Sequence, residues 1–330
     1  MPTIDFDKLF ESFSSIKIGV VGDVMLDTYW WGKVDRISPE APVPVVSVTR
    51  REQRIGGAGN VAINLQSLGA AVSIISVLGD DGDGLQLTEL LNRHSIDTRY
   101  LVQSGERVTT NKIRIISRNQ HMMRLDAEIT HVLNTEDEKK LLERFGEYIE
   151  KEKPGIVILE DYNKGVLTER AITSLISLCK ANNILTAVDP KRKNFFAYKH
   201  ADIFKPNLHE AKEALNILAE DVSTHLLEQI HTALYGQLHH DVSFITLSEK
   251  GVYYQDAGEK SLIPTHIRSI ADVSGAGDTV IAVASLVYAA TRNKRLMAEM
   301  ANIAGGLVCE EVGTVAIDKG KLLEECKNLL

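Results

Sequence analysis

Short apolar runs rich in β-branched residues alternate along the chain with stretches in which apolar residues recur every three or four positions. The first pattern predicts buried strands and the second predicts amphipathic helices. The predicted strands are 16–21, 72–78, 156–159, 185–188, 203–204 and 242–247. The predicted helices are 60–68, 85–94, 136–152, 168–182, 208–218, 279–290 and 295–310. This alternation is typical of an α/β fold with a mostly parallel sheet covered by helices.

Two segments, at about 29–54 and 107–126, break this alternation and read as paired strands. We expect them to form a small β lid that projects from the main sheet. No repeat, low-complexity tract or Gly/Ser-rich linker divides the sequence, which predicts one domain over 1–330. Four valines at 43, 45, 46 and 48 would lie on a projecting strand edge, and such edges need cover. The lid therefore predicts a homodimer.

Polar side chains follow the predicted strands, at the edge of the sheet where open α/β folds bind ligands. These residues are Asp23, Asp27, Asp161, Asp189, Asn207, Ser248 and Glu249. Each one alone is also compatible with a helix cap or a turn. Taken together they predict a shared ligand-binding rim.

The segment 272–279, with the sequence DVSGAGDT, immediately precedes an apolar helical run. Two glycines permit a tight turn, and backbone amides at a helix N-terminus attract an anion such as a phosphoryl group. Asp278 would stay ionised there and could accept a proton from an attacking hydroxyl. The alternative is a glycine-rich turn with Asp278 as a helix cap.

A second glycine element, GGAGN, spans Gly56, Gly57 and Asn60 and opens another predicted helix. It would let a small polar ligand approach the backbone, although close helix–strand packing explains it equally well. The run 79–84, GDDGDG, lacks the closing Glu of a calcium loop and predicts a turn.

One face of the second lid segment is basic. Alternation places Lys112, Arg114 and Arg118 on the same side of a strand, with Arg124 further along. Such a cluster suits a phosphate group separate from that of a nucleotide, while a solvated lid face remains the alternative. Lys164 and Lys191, each close behind a predicted strand, are further candidates.

The amino-acid composition excludes several classes of function. Hydrophobic residues make up 44% and the net charge is −8, values that fit a globular protein and argue against broad nucleic-acid binding. Three cysteines that lie far apart in the sequence, Cys179, Cys309 and Cys326, predict neither disulfides nor a zinc site. This cysteine usage favours a protein of the reducing cytoplasm. Phe6, Leu9, Phe10 and Phe13 predict an N-terminal docking helix instead of a signal peptide. The apolar run 280–290 is too short to span a membrane.

The pair GGAGN and DVSGAGD resembles the two signatures of the PfkB, or ribokinase-like, carbohydrate kinase family. Further family elements follow in order at 79–84, 207–210 and 246–251, so the resemblance covers essentially the whole chain. Four segments, GDVMLDTYWWG, RISPEAPVPVV, SRNQHMMRLD and DPK, are similar to the branch that phosphorylates heptose 7-phosphate. The resemblance implies a three-layer sandwich with a β lid.

The resemblance also implies roles for residues. Asp278 would be the catalytic base, and the amides of Gly275, Ala276 and Gly277 would bind the transferring phosphoryl group. Asn207 and Glu210 match the NxxE element that organises Mg²⁺ and the phosphates of ATP. The remaining nucleotide-side candidates are Asp189, Lys191, Thr246, Ser248, Gly251 and Asn302. The substrate-side candidates are Asp23, Asp27, Gly56, Gly57, Asn60, Lys112, Arg114, Arg118, Arg124, Asp161 and Lys164.

Two of these residues, Ser248 and Asn302, either depart from the family pattern or have a second explanation. Ser248 replaces the usual first glycine of the nucleotide-binding TxGxxG element, and Asn302 fits a helix-surface asparagine as well as an adenine pocket. A monovalent cation is an additional candidate cofactor.

The implied reaction is ATP-dependent phosphorylation of the anomeric O1 of heptose 7-phosphate, giving the 1,7-bisphosphate for ADP-heptose and lipopolysaccharide core synthesis. No adenylyltransferase signature occurs, so a separate adenylyltransferase would supply that step. The alternatives are another sugar or sugar-phosphate kinase of the family and a non-catalytic sugar or nucleotide sensor. A P-loop and a GxGxxG dinucleotide site are both absent from the sequence.

Overall fold

The computed structural model describes residues 4–118, 120–219, 221–266 and 268–330. The strands in this part of the chain are β1 Lys17–Gly22, β2 Val24–Ile37, β3 Pro44–Gly57, β4 Ala71–Gly79, β5 Asp97–Ser104, β6 Asn111–Ser117, β7 Gln120–Ala127, β8 Ile156–Glu160, β9 Leu185–Asp189, β10 Ile203–Phe204, β11 Val242–Thr246, β12 Val252–Gln255 and β13 Lys260–Ile263. The α-helices are α1 Phe6–Ser12, α2 Ala58–Ser67, α3 Gly82–Arg93, α4 Thr135–Glu152, α5 Glu169–Ala181, α6 Leu208–Ala214, α7 Thr224–Leu238, α8 Ala276–Thr291, α9 Lys294–Val308 and α10 Lys319–Leu329.

Nine strands form the main sheet in the order β13-β12-β11-β10-β9-β8-β1-β4-β5. Pairing is parallel from β5 to β11, and only β12 and β13 run antiparallel. Every residue of β8 and β9 is buried, as expected for central strands covered on both faces. The predicted mostly parallel α/β sheet is confirmed.

Two apolar cores cover the two faces of this sheet. One contains side chains of α1, α2, α3, α8, α9 and α10, and the other contains those of α4, α5, α6 and α7. This gives a three-layer sandwich. The predicted N-terminal docking helix is confirmed, because Phe6, Leu9, Phe10 and Phe13 are all buried in the first core. None of the described helices is long and apolar enough to cross a membrane.

Several local predictions need correction. Helix α6 ends at Ala214 instead of 218, and Asn216 behind it has φ 54°, a left-handed conformation that ends helices. The apolar pattern did not predict β5, β12, β13, α7 or α10. The short strands β12 and β13 form the antiparallel edge of the sheet. Strand β12 is buried over Val252–Tyr254 but has only four residues, and β13 alternates exposed and half-buried positions, so neither gives a long apolar run. All three cysteines are free and buried.

The predicted lid is a separate four-stranded sheet in the order β3-β2-β6-β7. Its limits differ from the prediction, because β2 begins at Val24, β3 ends at Gly57 and β6 begins only at Asn111. Strand register divides the lid into two faces. The inner face carries Asp27, Tyr29, Arg54, Lys112, Arg114, Arg124 and Asp126. The outer face carries Trp30, Ile113, Ile115, Met123 and Leu125.

Candidate active site

Strands β10, β9, β8 and β1 are neighbours, so their carboxyl ends meet at one edge of the sheet. Contacts across this edge bring several of the predicted rim residues together, and ligand binding there stays a prediction. The amide of Tyr162 donates to Asp23 Oδ2 at 2.8 Å, and the amide of Asp161 donates to the Asp189 carbonyl at 3.2 Å. Asn207 forms a bridge with Thr246. The exposed Glu249 lies in the turn after β11.

Asp278 lies at the centre of this edge, in the first turn of α8, and is 6% exposed. Its Oδ1 accepts a hydrogen bond from the Tyr162 hydroxyl at 2.6 Å, and its Oδ2 accepts one from Asn60 Nδ2 at 2.7 Å. Burial raises the pKa of Asp278 to about 6, although the Tyr162 and Asn60 hydrogen bonds oppose this increase. A carboxylate poised near neutral pH is suited to accept a proton.

The turn before α8 depends on one glycine instead of two. Gly275 has φ 80°, and a Cβ there would meet Asn60 Nδ2 and Thr314 at 2.9 Å. Gly277 lies inside the helix, and a Cβ added to it would meet no atom within 4 Å. The open space beside Gly277 adjoins the predicted phosphoryl site. In this conformation the Ala276 amide donates to the Val273 carbonyl at 3.3 Å, so this predicted anion-hole amide is already engaged.

Asp272 fixes the other end of the same turn. Its two oxygens accept the amides of Ser274 and Gly313, each at 2.9 Å. Burial works against ionisation of Asp272, but these hydrogen bonds outweigh it and lower the pKa of Asp272. The sequence placed this residue inside the motif without giving it a role, and its contacts make it a positioning residue for the glycine turn.

The GGAGN element shows the close packing that was one of its two interpretations, and approach of a ligand to its backbone stays a prediction. Gly57 has φ 60°, and a Cβ there would meet the Asp23 carbonyl oxygen at 2.3 Å, which is close packing. A Cβ at Gly56 would meet Asp27 Oδ2 at 2.4 Å, so the absence of a side chain brings Asp27 against the backbone. The same turn starts α2 and presents Asn60 to Asp278.

Two predicted substrate ligands are engaged behind the site. Asp23 is 1% exposed, and its carboxylate accepts three backbone amides, those of Tyr162, Lys164 and Val166. The carboxylate of Asp161, also buried, accepts the amide of Asn163 and the Tyr198 hydroxyl. Both carboxylates hold the turn after β8, so they are positioning residues for it, and direct binding of substrate by either one stays a prediction.

A group of buried charges lies next to Asp278. Lys205 is 2% exposed and lies 2.7 Å from Asp189 Oδ2, while Lys191 lies 2.6 Å from Glu210 and 3.6 Å from Asp189 Oδ1. Sequence reasoning missed Lys205, although its position directly after β10 repeats the signal that identified Asp189 and Asn207. The two lysines place positive charge where nucleotide phosphates are predicted.

Glu160, the last residue of β8, is 1% exposed, and neither of its carboxylate oxygens has a hydrogen-bond partner. Burial raises the pKa of Glu160 well above its usual value, and the neighbouring Asp189 and Asp278 raise it further. Sequence reasoning missed this residue, although it directly follows the predicted strand 156–159 and so has the same strand-end position as Asp189. Its unpartnered oxygens are hard donors of the kind that Mg²⁺ prefers.

The NxxE element is a helix capping box in this structure. Asn207 Oδ1 accepts the Glu210 amide, and Glu210 Oε2 accepts the Asn207 amide, both at 2.8 Å. Because Lys191 contacts the other Glu210 oxygen, both oxygens are engaged. Within the described ranges, no three His, Cys, Asp or Glu side chains converge as a ready-made metal cage.

The predicted nucleotide residues lie on the adjoining part of the edge. Ser248 has φ 54°, a left-handed conformation that explains why a glycine usually occupies this position. Gly251 has φ 95°, and a Cβ there would meet the Ile263 carbonyl oxygen at 2.0 Å. Asn302 is 7% exposed and donates to the Pro264 carbonyl at 2.9 Å, so it ties α9 to the segment after β13.

The predicted basic cluster on the lid is largely neutralised by acids. Arg114 pairs with Asp27, Arg124 with Asp126, and Lys112 with both Asp126 and Glu128. Arg118 does not share their face, because it lies in the exposed turn after β6 with φ 48°. The inner lid face is therefore a set of ion pairs and not an unbalanced basic patch.

Arg54 is a further inner-face residue that sequence reasoning missed. Its guanidinium lies 5.1 Å from the centre of the Tyr29 ring, and its Nη1 lies 3.4 Å from the Thr314 carbonyl oxygen. Thr314 also adjoins Gly275. Arg54 thus links the lid to the turn before α8.

Glu128, between β7 and α4, contacts both Lys164 at 2.8 Å and Lys112 at 3.1 Å. Partial burial opposes ionisation, but hydrogen bonds from Lys164 and Lys112 outweigh it and lower the pKa of Glu128.

Comparison with known proteins supports the fold. Phosphofructokinase-2 from Escherichia coli, solved in complex with potassium, superposes with a TM-score of 0.78 at 18% identity, covering 94% of this chain and 99% of that one. Ribokinase from Arabidopsis thaliana, complexed with ribose and ATP, gives a TM-score of 0.72 at 16% identity, with 94% and 99% covered. The predicted ribokinase-like fold is confirmed.

Curated relatives are more similar in sequence. The bifunctional protein HldE of Trichlorobacter lovleyi is 37% identical over 318 residues, and that of Helicobacter acinonychis is 40% identical over 298 residues. These alignments cover 96% and 90% of this chain but only 64% of each relative. Residues 15–319 match the sequence pattern of the pfkB family of carbohydrate kinases. The chain therefore belongs to the pfkB family of carbohydrate kinases.

Proposed function

We propose that this chain transfers the γ-phosphoryl group of ATP to the anomeric O1 of heptose 7-phosphate. The observation that carries the proposal is Asp278, a buried carboxylate held by Asn60 and Tyr162 beside the open space at Gly277. The choice of heptose rests on the four segments similar to the heptose 7-phosphate branch, together with the HldE relatives.

Asp278 would accept the proton of O1 as this oxygen attacks the γ-phosphorus atom. The pKa of about 6 keeps Asp278 mostly ionised at pH 7 and still basic enough to take the proton. Positive charge from Lys191 and Lys205, together with amides at the start of α8, would stabilise the charge that develops on the phosphoryl oxygens. Catalysis would then consist of positioning and charge stabilisation.

The residues present fit a magnesium ion bound together with nucleotide phosphates. Mg²⁺ commonly takes one or two carboxylates and completes its shell with phosphate oxygens and water. Both carboxylate oxygens of Glu160 and Oδ1 of Asp189 are buried without a hydrogen-bond partner. Lys191, 3.6 Å from Asp189 Oδ1, also contacts Glu210. When bound, the ion would neutralise phosphate charge. Asn207 would contribute by fixing Glu210 through the capping box.

The apolar outer face of the lid favours a second copy of this chain as its cover. Met123 and Leu125 are 56% and 42% exposed there. Val43, directly before the edge strand β3, and Val48 on that strand are 51% and 39% exposed. We expect sedimentation to show a dimer at micromolar concentration and Leu125→Arg to give a monomer. A wild-type monomer would refute this part of the proposal.

A coupled ATPase assay with heptose 7-phosphate, ribose and fructose 6-phosphate tests the substrate. We expect the highest kcat/KM for heptose 7-phosphate. A preference for either other sugar would assign the chain to a different activity within the family. Binding of sugar and ATP without turnover of any sugar would favour the alternative of a non-catalytic sensor.

A further inference from the structure

The guanidinium of Arg54 lies between the lid and the glycine turn, 272–275, that precedes α8. On the lid side it lies 5.1 Å from the centre of the Tyr29 ring, and its Nε lies 2.6 Å from Glu52 Oε1. On the other side its Nη1 lies 3.4 Å from the carbonyl oxygen of Thr314. A planar guanidinium can make several such contacts at once, because its five donors point in fixed directions.

The segment that Arg54 contacts, between α9 and α10, is closely packed against it. Gly313 has φ 77°, and a Cβ added there would lie 2.7 Å from Arg54 Nη1. A side chain at this position would therefore strike the guanidinium, in addition to straining the backbone. Because Gly313 has no side chain, Arg54 can approach the Thr314 carbonyl. The contact thus depends on an arginine in β3 and on a glycine in a distant part of the chain.

Gly313 and Thr314 in turn hold the glycine turn. The Gly313 amide donates to Asp272 Oδ2 at 2.9 Å, and Asp272 fixes the start of the turn. The methyl carbon of Thr314 lies 2.9 Å from the place that a Cβ would take at Gly275. A displacement of the Arg54 guanidinium would therefore change the packing of the two residues that define the shape of the turn, Asp272 and Gly275.

On the lid side, Arg54 is connected to residues that are predicted to bind the sugar. The Arg114 guanidinium lies 5.2 Å from the centre of the same Tyr29 ring, and Arg114 pairs with Asp27. Asp27 also lies directly opposite Arg54 in the register of β2 and β3. Successive side-chain contacts therefore join the inner face of the lid to the glycine turn, and Arg54 is the member that contacts both.

The base itself is held by other residues. Asn60 and Tyr162 each donate to one oxygen of Asp278, so its orientation does not depend on Arg54. Transfer requires the acceptor hydroxyl and the phosphoryl group to be in place together. These two groups are predicted to bind at different parts of the chain, the lid and the glycine turn. A residue that contacts both parts can link the binding of one ligand to that of the other.

We propose that Arg54 is a positioning residue that couples the lid to the glycine turn. Binding of the acceptor under the lid fixes Arg54 and thereby the turn that receives the phosphoryl group of ATP. Coupling between two binding sites is reciprocal, so ATP at the turn also orders the lid. The proposal rests on the proposed function for the places of the acceptor and of the phosphoryl group.

Calorimetry with a non-hydrolysable ATP analogue measures this coupling. Wild type should bind the analogue about five- to a hundredfold more tightly when heptose 7-phosphate is saturating. Arg54→Lys keeps the charge but loses the planar fork, so this factor should fall to about one or two. The affinity of Arg54→Lys for each ligand alone should remain close to that of wild type.

Arg50→Lys is the matched control. Arg50 lies in the same strand, stacks on the Trp31 ring at 3.7 Å and pairs with Glu52 at 3.6 Å. Within the described ranges it forms no hydrogen bond with the segment between α9 and α10. Arg50→Lys therefore loses contacts of the same kind without disturbing the glycine turn, and it should keep the coupling factor of wild type.

Hydrogen exchange tests the same coupling without a sugar. The ATP analogue alone should slow the exchange of backbone amides in β2 and β3 of wild type and Arg50→Lys. In Arg54→Lys this protection of the lid should be lost, while protection at the start of α8 should remain. If wild type neither binds nor phosphorylates heptose 7-phosphate, the proposed function fails, and the exchange of the lid amides still decides the coupling.

Arg54→Lys with the lid protection and coupling factor of wild type would overturn the proposal, even if its kcat were lower. That result would assign any coupling to β3 itself, which leads through Gly57 into the helix that carries Asn60. Wild type without coupling would refute the proposal as well. Should Arg54→Lys not fold, Gly313→Ala is the second variant, because its methyl group would displace the guanidinium from Thr314. It should also lose the lid protection, and retention of that protection would contradict the role of Arg54.

Discussion

Tyr162 joins the catalytic candidate Asp278 to the turn that supports it. Its hydroxyl donates to Asp278 Oδ1 at 2.6 Å, while its backbone amide donates to Asp23 Oδ2 at 2.8 Å. One residue thus fixes the base through its side chain and the substrate-side turn through its backbone. Because Asn60 holds the other oxygen of Asp278, the carboxylate has a defined orientation before substrate binds.

Tyr162→Phe removes one hydrogen bond that stabilises the ionised form of Asp278. The pKa of Asp278, about 6 in this structure, should therefore rise. Loss of a hydrogen bond worth about 1.5 kcal/mol corresponds to an increase of about one pKa unit. The acid limb of the kcat profile should move to higher pH, with much of the loss recovered above pH 8. A profile that stays in place while kcat drops at every pH would contradict this role.

Asp278→Asn should lower kcat by about two to four orders of magnitude, because it removes the base and leaves the glycine turn intact. ATP binding, measured by calorimetry, should stay within a few-fold of wild type. Near-normal turnover would rule out Asp278 as the base.

Gly275→Ala and Gly277→Ala should separate folding from catalysis. Gly275 has φ 80° and close neighbours, so alanine there should destabilise the fold by about 1–2 kcal/mol. Gly277 is helical with open space, so alanine should keep or raise stability by up to about 1 kcal/mol while its methyl group lowers ATP turnover. Chemical denaturation and the coupled assay measure the two effects. Wild-type turnover in Gly277→Ala would refute the phosphoryl site beside it.

Ser248→Gly should raise the free energy of unfolding by about 0.5–1 kcal/mol, because φ 54° costs a serine more than a glycine. The matched control is Ser177→Gly, an exposed position within α5, where glycine should lower stability by about 0.5–1 kcal/mol. Equal signs in the two variants would contradict the backbone argument.

His240 should make the fold sensitive to acid. It is fully buried with Nε2 2.6 Å from Ser243 Oγ, and burial lowers the pKa of His240 to about 3. Between about pH 3 and 6.5, His240 is protonated in the unfolded chain but neutral in the folded protein. The contribution of neutral His240 to the free energy of unfolding is therefore complete above pH 6.5 and is lost as the pH falls. Asp161 and Asp278, whose pKa values are raised to about 6, act in the opposite direction between about pH 3.8 and 6.

Comparing wild type with His240→Gln isolates this histidine from the carboxylates. The stability advantage of wild type should shrink between pH 7 and pH 4, by up to about 1.4 kcal/mol per pH unit. The exposed His94→Gln serves as control and should show a constant difference from wild type. A constant difference for His240→Gln as well would refute the assignment.

The sequence determined the order of most of the strands and helices, because periods of 2 and 3.6 are local properties of the chain. It also determined which segments carry chemistry. DVSGAGD and GGAGN are identifiable without a structure because their glycines and polar residues are consecutive. The strand-end rule then placed Asp189 and Asn207 at one edge, since parallel strands present their carboxyl ends together.

Only the tertiary structure decided which charges meet. Glu128 faces Lys112 and Lys164 across sequence separations of 16 and 36 residues, and no local pattern encodes such a contact. The same holds for Lys205, whose burial against Asp189 depends on two neighbouring strands. The alternation of residues along one strand predicted a basic lid face, because this pattern takes account of the side chains of that strand alone. The charge balance of the face depends on side chains from every strand and turn that reaches the same space.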